Sequence, residues 1–219
     1  MTRRPRVQKG QRIQSKRSCT SDLLSFEREL YSKGIRSVAG VDEVGRGPLA
    51  GPVVAAAVIL PEGLYLEGLR DSKKLTAKKR DRFYDDILNV AISYAVALVE
   101  PEEIDRINIL KASLLAMKNA VCKLKTNPEY ILIDGINEIE HHLPQKTITG
   151  GDDLSQSIAA ASVVAKVTRD RMMCEFENIY PQFTFSAHKG YGTRAHYSEI
   201  SRYGLTPLHR RSFLKKLNI

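Results

Sequence analysis

The chain has 219 residues, of which 42% are hydrophobic and 27% are charged, and its net charge is +9. These values match one globular domain and exclude a wholly disordered or fibrous chain. The longest apolar run, residues 49–60, is interrupted by Gly51 and Pro52 and is shorter than the roughly 20 residues that cross a bilayer. Three widely spaced cysteines and the lack of an apolar leader favour a protein of the reducing cytoplasm.

The positive charge is concentrated at the two ends of the chain. Residues 1–20 contain seven basic side chains and no acidic one, and residues 188–219 contain seven basic side chains and one acidic one. The residues between them therefore have a net negative charge. Basic ends suit a polyanion bound through its phosphates, whereas clustered carboxylates suit bound cations. A solvated surface with a disordered basic tail is the plainer alternative.

The first half of the chain predicts an arm, a short helix, two strands and a surface helix. Residues 1–20 lack hydrophobic periodicity, and the apolar side chains from Leu23 to Leu30 predict a helix that ends near Gly34. Apolar and β-branched runs at residues 38–41 and 53–60 predict two strands joined by a glycine-rich turn. Residues 76–89 suit a surface helix, and the alternation in residues 92–98 suits a strand.

The second half of the chain continues the alternation of helices and strands. Apolar residues at helical spacing from Ile104 to Leu124, after Pro101, predict one helix. Residues 130–134 predict a strand, residues 147–149 a short strand, and residues 154–180 a long helix whose small side chains allow close packing on a sheet. This order predicts an α/β domain with a mixed sheet flanked by helices.

Acidic side chains stand where the predicted strands end. Asp42 and Glu43 end one apolar strand, so their side chains point to opposite faces and cannot both be core residues. Asp134 ends another strand, and Asp152 and Asp153 precede the long helix, where either can serve as an N-cap. Converging carboxylates repel one another unless cations lie between them, and Mg²⁺ and Mn²⁺ prefer oxygen ligands. Two such ions can hydrolyse a phosphodiester.

Three further segments have a composition that suits phosphates and sugars. Gly45-Arg46-Gly47 lets the backbone approach a ligand and adds a charge, although a plain tight turn explains it equally well. His188-Lys189-Gly190-Tyr191 combines an imidazole, an ammonium and an aromatic ring on a glycine loop. Lys73 and Lys74 precede a helix, either as part of its capped start or as phosphate contacts.

Taken together, five blocks of sequence resemble bacterial ribonuclease HII over roughly residues 37–213. They are Gly40-Val-Asp-Glu-Val-Gly-Arg-Gly-Pro-Leu-Ala-Gly-Pro52, Asp71-Ser-Lys-Lys-Leu75, Leu132-Ile-Asp-Gly135, Ala159-Ala-Ala-Ser-Val-Val-Ala-Lys-Val-Thr-Arg-Asp170 and His188-Lys-Gly-Tyr-Gly-Thr193. Their order and spacing make the resemblance specific. The related ribonuclease HIII usually has Gly-Thr-Gly at the position of Arg46 and a folded N-terminal domain, so it matches less well.

The resemblance implies a ribonuclease H-like fold with a helical C-terminal region. We expect residues 1–34 to form a basic arm and a short helix, and residues 35–219 to form the catalytic domain. The family's four carboxylates, which are both catalytic and metal-binding, correspond to Asp42, Glu43, Asp134 and Asp152, with Asp153 as the alternative for the last. The implied substrate contacts are Gly45, Arg46, Gly47 and Tyr191, joined by Lys73, Lys74, His188 and Lys189.

The implied activity is an endonuclease that hydrolyses RNA in RNA–DNA hybrids and cuts 5′ to ribonucleotides at RNA–DNA junctions in duplex DNA. It leaves 3′-hydroxyl and 5′-phosphate ends, requires Mn²⁺ or Mg²⁺, and acts as a cytoplasmic monomer in DNA replication and repair. Arg46 and its glycines are expected to read the ribose 2′-hydroxyl, and Tyr191 to stack on the next sugar. The alternatives are a non-catalytic nucleic-acid-binding module and a metal phosphohydrolase acting on a small ester.

Overall fold

A five-stranded sheet forms the centre of the computed structural model, which describes residues 22–69 and 72–215. Its strands are β1 (Val38–Val44), β2 (Val53–Ile59), β3 (Ser93–Val99), β4 (Tyr130–Asp134) and β5 (Gln145–Ile148). They lie in the order β3-β2-β1-β4-β5. β2 is antiparallel to β1 and β3, whereas β4 is parallel to β1 and β5. The predicted mixed sheet is therefore confirmed.

Helices cover both faces of the sheet and form the C-terminal region. They are α1 (Ser25–Ser32), α2 (Ala77–Val90), α3 (Pro101–Ile107), α4 (Ile109–Cys122), α5 (Gln156–Ile179), α6 (Phe185–His188) and α7 (Arg194–Tyr203). α4 packs on one face, with Ala39, Val41 and Ala55 in that core, and α5 packs on the other, with Ala56 and Val58. Within the described ranges, no helix is long and apolar enough to cross a membrane.

The long helix α5 lies unusually close to β1, as its small side chains predicted. A Cβ atom added to Gly40 would lie 2.0 Å from the backbone carbon of Ser157, so no larger residue fits there. Residues Ala159, Ala160 and Ala161 are fully buried in the same contact. This close approach brings the turn before α5 next to the ends of β1 and β4.

The helix predicted after Pro101 is wrong in one respect, because the chain forms two helices there. Asn108 adopts a left-handed conformation with φ 72°, which ends α3. Its side chain then accepts a hydrogen bond from the backbone N–H of Lys111 at 3.1 Å and caps α4. Apolar spacing cannot show this break, because the spacing continues through it, whereas asparagine is one of the residues that favour the N-cap of a helix.

Helix α1 packs on the domain rather than standing apart from it. Leu30 belongs to the same core cluster as Val38, Leu132 and Ile158. The helix follows the prediction closely, and Gly34 just beyond it has φ 85°. The predicted basic arm, residues 1–20, lies outside the described residues. Since α1 shares this core, it packs against the same domain as the residues that follow Gly34.

Candidate active site

Asp42 and Glu43 point to opposite faces of β1, as the alternation of a strand requires. Asp42 pairs in register with Ala56, which faces α5, and Glu43 pairs with Ala55, which faces α4. Asp42 is buried, and one of its carboxylate oxygens accepts a hydrogen bond from the backbone N–H of Glu43 at 2.7 Å. Only 10% of the Glu43 side chain is exposed. Both carboxylates are thus held at the end of a rigid strand.

Asp134 and the turn before α5 adjoin the same end of the sheet. β4 runs parallel to β1, so Asp134 ends its strand at the edge where Asp42 ends its own. The backbone N–H of Gly151 donates to a carboxylate oxygen of Asp134 at 2.7 Å, which ties the two segments together. In the 3-10 turn Gly151–Asp153, Asp152 is buried and Asp153 is half-buried.

The electrostatics show that the four predicted carboxylates lie near one another. Burial raises the pKa of Asp42 well above its usual value, and the charges of Glu43, Asp134 and Asp152 raise it further, against a lowering hydrogen bond from Ser162. Burial also raises the pKa of Glu43; Arg46 opposes this and Asp134 adds to it. The charge of Asp152 contributes to the raised pKa of Asp42, so Asp152 remains the candidate for the fourth carboxylate.

The carboxylates do not close around one point. Among the residues that the structure describes, no three His, Cys, Asp or Glu side chains form a ready metal-ligand group. Glu43 and Asp134 instead line a cavity of about 120 Å³ that also includes Arg46 and Asn137. The arrangement is a cluster of oxygen donors with an adjoining opening to solvent, and like charges within it are costly until a cation neutralises them.

The Gly-Arg-Gly turn, residues 45–47, lies directly beside these carboxylates. The Arg46 guanidinium is half-exposed, at 52%, and is 3.3 Å from a carboxylate oxygen of Glu43. Gly45 has φ 95°, and a Cβ atom on it would meet Arg169 at 2.4 Å, so a glycine is required. A Cβ atom on Gly47 would lie 3.7 Å from the Tyr191 ring. The structure therefore brings this turn and Tyr191 together.

The tyrosine loop, residues 188–193, presents one predicted side chain to solvent and buries another. Tyr191 is 43% exposed, whereas His188 is buried. The backbone N–H of Gly190 donates to Nδ1 of His188 at 3.1 Å, so Nε2 bears the proton and donates to Glu199 at 2.9 Å. Both ring nitrogens of His188 are thus engaged inside the protein, away from a ligand that contacts Tyr191.

The side chain of Lys189 contacts the outer side of α5, away from the carboxylates. Its Nζ donates to the backbone oxygen of Asp170 at 3.3 Å and contacts Sγ of Cys174 at 3.1 Å. Together with Arg80 and Arg171 it lines a separate cavity of about 290 Å³. The predicted Lys189 contact therefore lies beside the site rather than in it.

The lysine turn, residues 72–74, is linked to the carboxylates through two hydroxyl groups. The Ser162 hydroxyl of α5 lies 2.9 Å from the Ser72 hydroxyl, within hydrogen-bond distance, and its hydrogen bond to Asp42 lowers the pKa of that carboxyl. Lys73 in this turn is exposed. The side chain of Lys74 and the whole of Asp71 lie outside the described part of the structure.

Two buried arginines hold the loops of the site, and the sequence did not predict either of them. Arg169 and Arg210 are fully buried, and their guanidinium groups donate to backbone carbonyls. Arg210 belongs to the basic C-terminal end that suits phosphates, and the structure corrects this prediction, because its side chain faces the protein interior. The Thr-Arg-Asp block that contains Arg169 is part of the resemblance, but nothing in its spacing indicates this contact.

A chain of buried histidines supports the backbone of Tyr191. The Thr206 N–H donates to Nδ1 of His209 at 2.9 Å, and Nε2 of His209 is 3.1 Å from Nε2 of His196. His196 then reaches the Tyr191 carbonyl through Nδ1 at 3.0 Å. These contacts fit a single direction of hydrogen-bond donation, from Thr206 through His209 and His196 to Tyr191, with both imidazole rings neutral. Burial lowers the pKa of His209 to about 4, which keeps its ring neutral near pH 7.

Comparisons with known proteins agree on one family. The family profile described as Ribonuclease HII matches residues 39–216. Relatives named Ribonuclease HII include one from Syntrophobacter fumaroxidans, 54% identical over 88% of this chain and 82% of its own length. Another, from Acholeplasma laidlawii, is 50% identical over 89% of this chain and 95% of its own length.

Solved structures support the same fold. The ribonuclease H2 of Pyrococcus horikoshii is 28% identical, with a TM-score of 0.67 over 80% of this chain and 93% of that one. The Bst-RNase HIII structure, a complex with Mn²⁺, is 20% identical, with a TM-score of 0.62 over 80% of this chain and 66% of that one. At that identity it supports the fold alone. The chain therefore belongs to the ribonuclease HII family, has the ribonuclease H-like α/β fold, and is a ribonuclease H-type endonuclease.

Proposed function

We propose that the protein hydrolyses the RNA strand of RNA–DNA hybrids and cuts 5′ to ribonucleotides at RNA–DNA junctions in duplex DNA. The products carry 3′-hydroxyl and 5′-phosphate ends. The observation that carries the proposal is that the turn with the exposed Arg46 adjoins both the exposed Tyr191, through Gly47, and a cluster of four carboxylates. The first two groups suit recognition of a sugar and the third suits phosphodiester hydrolysis.

Asp42, Glu43, Asp134 and Asp152 would hold Mg²⁺ or Mn²⁺. The donor set fits these hard cations, because every ligand is a carboxylate and the repulsion that raises the pKa of Asp42 is relieved by positive charge. When bound, such ions supply an activated water and stabilise the leaving oxygen.

The protein's own groups select and orient the substrate. The Gly-Arg-Gly turn offers backbone groups and the Arg46 guanidinium to the 2′-hydroxyl of a ribonucleotide, the group that distinguishes RNA from DNA. Tyr191 supplies a flat apolar face to the sugar of the next nucleotide. The contact with the 2′-hydroxyl positions the scissile phosphate beside the carboxylate cluster. DNA lacks this hydroxyl and is not positioned in this way, which would give selectivity against DNA.

Basic side chains around the cluster would contact phosphates of the duplex. Lys73 and Lys74 belong to the turn that Ser162 links to Asp42, and Lys189 lies on the outer side of α5 with Arg80 and Arg171. We propose that His188, being buried, acts by holding the backbone of Gly190 rather than by touching the substrate. We also propose that the protein works as a cytoplasmic monomer in DNA replication and repair.

The first test is cleavage of a labelled DNA duplex that contains one ribonucleotide, with Mg²⁺, with Mn²⁺ and with a chelator. We expect a single metal-dependent nick 5′ to the ribonucleotide and none in an all-DNA duplex. A nick on the 3′ side, or equal cutting with the chelator, would contradict the mechanism. If the protein cleaves only a long RNA–DNA hybrid, the nuclease activity is confirmed and the specificity for junctions is wrong.

A further inference from the structure

The two recognition elements, the Gly-Arg-Gly turn and the tyrosine loop, belong to separate chain segments that touch at several points. The ring of Tyr191 lies beside Gly47. The backbone N–H of Leu49 donates to the carbonyl oxygen of Gly190 at 2.8 Å, and a Cβ atom on Gly190 would lie 2.4 Å from the Ala50 oxygen. The spacing between the turn and the tyrosine is thus set by direct backbone contact.

Arg169 of α5 bonds to both segments at once. Its Nε donates to the Pro52 carbonyl, one terminal nitrogen donates to Ala50, and the other donates to Lys189, each at 3.0 Å. The side chain is fully buried, and Gly45 packs directly on it. A planar guanidinium can point its donors at carbonyls in different directions, which a lysine ammonium on a flexible stem cannot do in the same geometry.

Arg210 makes a contrasting set of bonds. Its guanidinium donates to the carbonyls of Gly45, Arg46, Pro48 and Gly51 at 2.6–3.0 Å. All of these carbonyls lie in the segment that contains the Gly-Arg-Gly turn, and none of them lies in the tyrosine loop. Arg210 therefore shapes one recognition element, whereas Arg169 joins the two.

We propose that Arg169 is a positioning residue that sets the spacing between the two recognition elements and thereby the preference for a ribonucleotide followed by a deoxyribonucleotide. This inference rests on the proposed function of both elements. A ribonucleotide at a junction must present its 2′-hydroxyl to the turn while the next sugar reaches Tyr191. A shift of about 1 Å between the elements breaks this simultaneous fit and can lower the rate on the order of 100-fold.

The test compares two substrates of identical base sequence, one a DNA duplex with a single ribonucleotide and the other with a uniform RNA strand. For wild type, Arg169→Lys and Arg210→Lys, kcat and KM are measured on both. We expect Arg169→Lys to lower the ratio of kcat/KM, single ribonucleotide over uniform RNA, by about 10-fold or more, which corresponds to about 1.4 kcal/mol. We expect Arg210→Lys to lower both values together and to leave their ratio within about 3-fold, or roughly 0.7 kcal/mol.

Cleavage of the uniform RNA strand shows that a variant is folded. If Arg169→Lys lacks that activity, Arg169→Gln tests the same contacts instead, because its uncharged amide can still donate a hydrogen bond and places no unpaired charge in the interior. This variant is expected to lower the same ratio. An unchanged ratio in Arg169→Lys, or in Arg169→Gln where that replaces it, would refute the inference, as would an equal fall of the ratio in Arg210→Lys.

The outcomes separate this inference from the function on which it rests. A wild-type protein without preference for the single-ribonucleotide duplex would remove the junction specificity itself. A wild-type preference that survives in Arg169→Lys would leave the junction specificity in place and refute only the role of Arg169.

Discussion

Asp42 combines two properties that a folded protein normally avoids, because it is buried and it lies near three other carboxylates. Burial and the charges of Glu43, Asp134 and Asp152 raise its pKa. Such a group reduces stability when ionised, since the unfolded chain solvates the charge better. A residue of this kind is retained for function rather than for stability.

The Asp42→Asn substitution should separate these two effects. We expect it to lower the rate of cleavage by two or more orders of magnitude, about 2.7 kcal/mol of transition-state stabilisation. In chelator, its melting temperature should rise above that of wild type, by roughly 2–4 °C for each kcal/mol of repulsion removed. Thermal melting and single-turnover cleavage provide the measurements.

Asp153 provides the matched control for that substitution. It lies in the turn beside Asp152 and is half-buried, whereas Asp152 is buried and its charge raises the pKa of Asp42. Asp153→Asn should therefore retain most of the activity, whereas Asp152→Asn should abolish it. The reverse result would exchange the two residues in the proposed metal site.

Helix α1 is fastened to the start of α5 by a buried carboxylate. Glu27 accepts hydrogen bonds from the Ser155 hydroxyl at 2.7 Å and from the Ser157 N–H at 2.9 Å. Both donors belong to the first turn of α5, where a carboxylate is also favoured by the helix dipole. Because Asp152 lies only three residues before Ser155, this contact also supports one edge of the candidate site.

We expect Glu27→Ala to destabilise the protein by about 1–3 kcal/mol, because a buried N–H then has no acceptor. This corresponds to a fall in melting temperature of roughly 2–4 °C per kcal/mol. The matched control is Glu29→Ala in the same helix, since Glu29 is exposed and forms surface pairs with Lys33 at 2.7 Å and with Lys146 at 3.8 Å. Solvent-exposed pairs of this kind contribute little to stability. Equal melting temperatures for the two variants would argue against the fastening role of Glu27.

The net charge is distributed over the whole molecule, and the structure changes how the charge of the basic C-terminal end is interpreted. Arg210 and Arg169 are buried, so they do not add to the surface that a polyanion contacts. The basic arm, residues 1–20, lies outside the described residues and has seven positive charges without an acid. Its contribution to binding is therefore a prediction from charge alone.

Removing residues 1–20 should weaken duplex binding and reduce its dependence on salt. For each phosphate that the shortened protein no longer neutralises, the slope of log K against log salt becomes shallower by about 0.9. Binding is measured with a catalytically inactive Asp134→Asn protein, with and without the arm, over a range of salt concentrations. Unchanged affinity and slope would show that the arm does not contact the duplex.

Much of the fold and of the candidate site could be predicted from the sequence. The alternation along β1 separates Asp42 from Glu43, the apolar run before Asp134 places it at a strand end, and the small residues of α5 predict its close packing. These features are local, because the backbone geometry of strands and helices repeats every two or 3.6 residues. The motif blocks were sufficient to indicate the family.

Only the tertiary structure decided which distant residues meet. Arg169 and Arg210 are polar, and polarity predicts exposure, yet both are buried and donate to backbone carbonyls that include Pro52 and Gly51, more than a hundred residues away. The proximity of Asp152 to Asp42 and the docking of α1 through Glu27 likewise depend on contacts between remote segments. Local spacing contains no information about such contacts, since they exist only once the sheet order has brought the segments together.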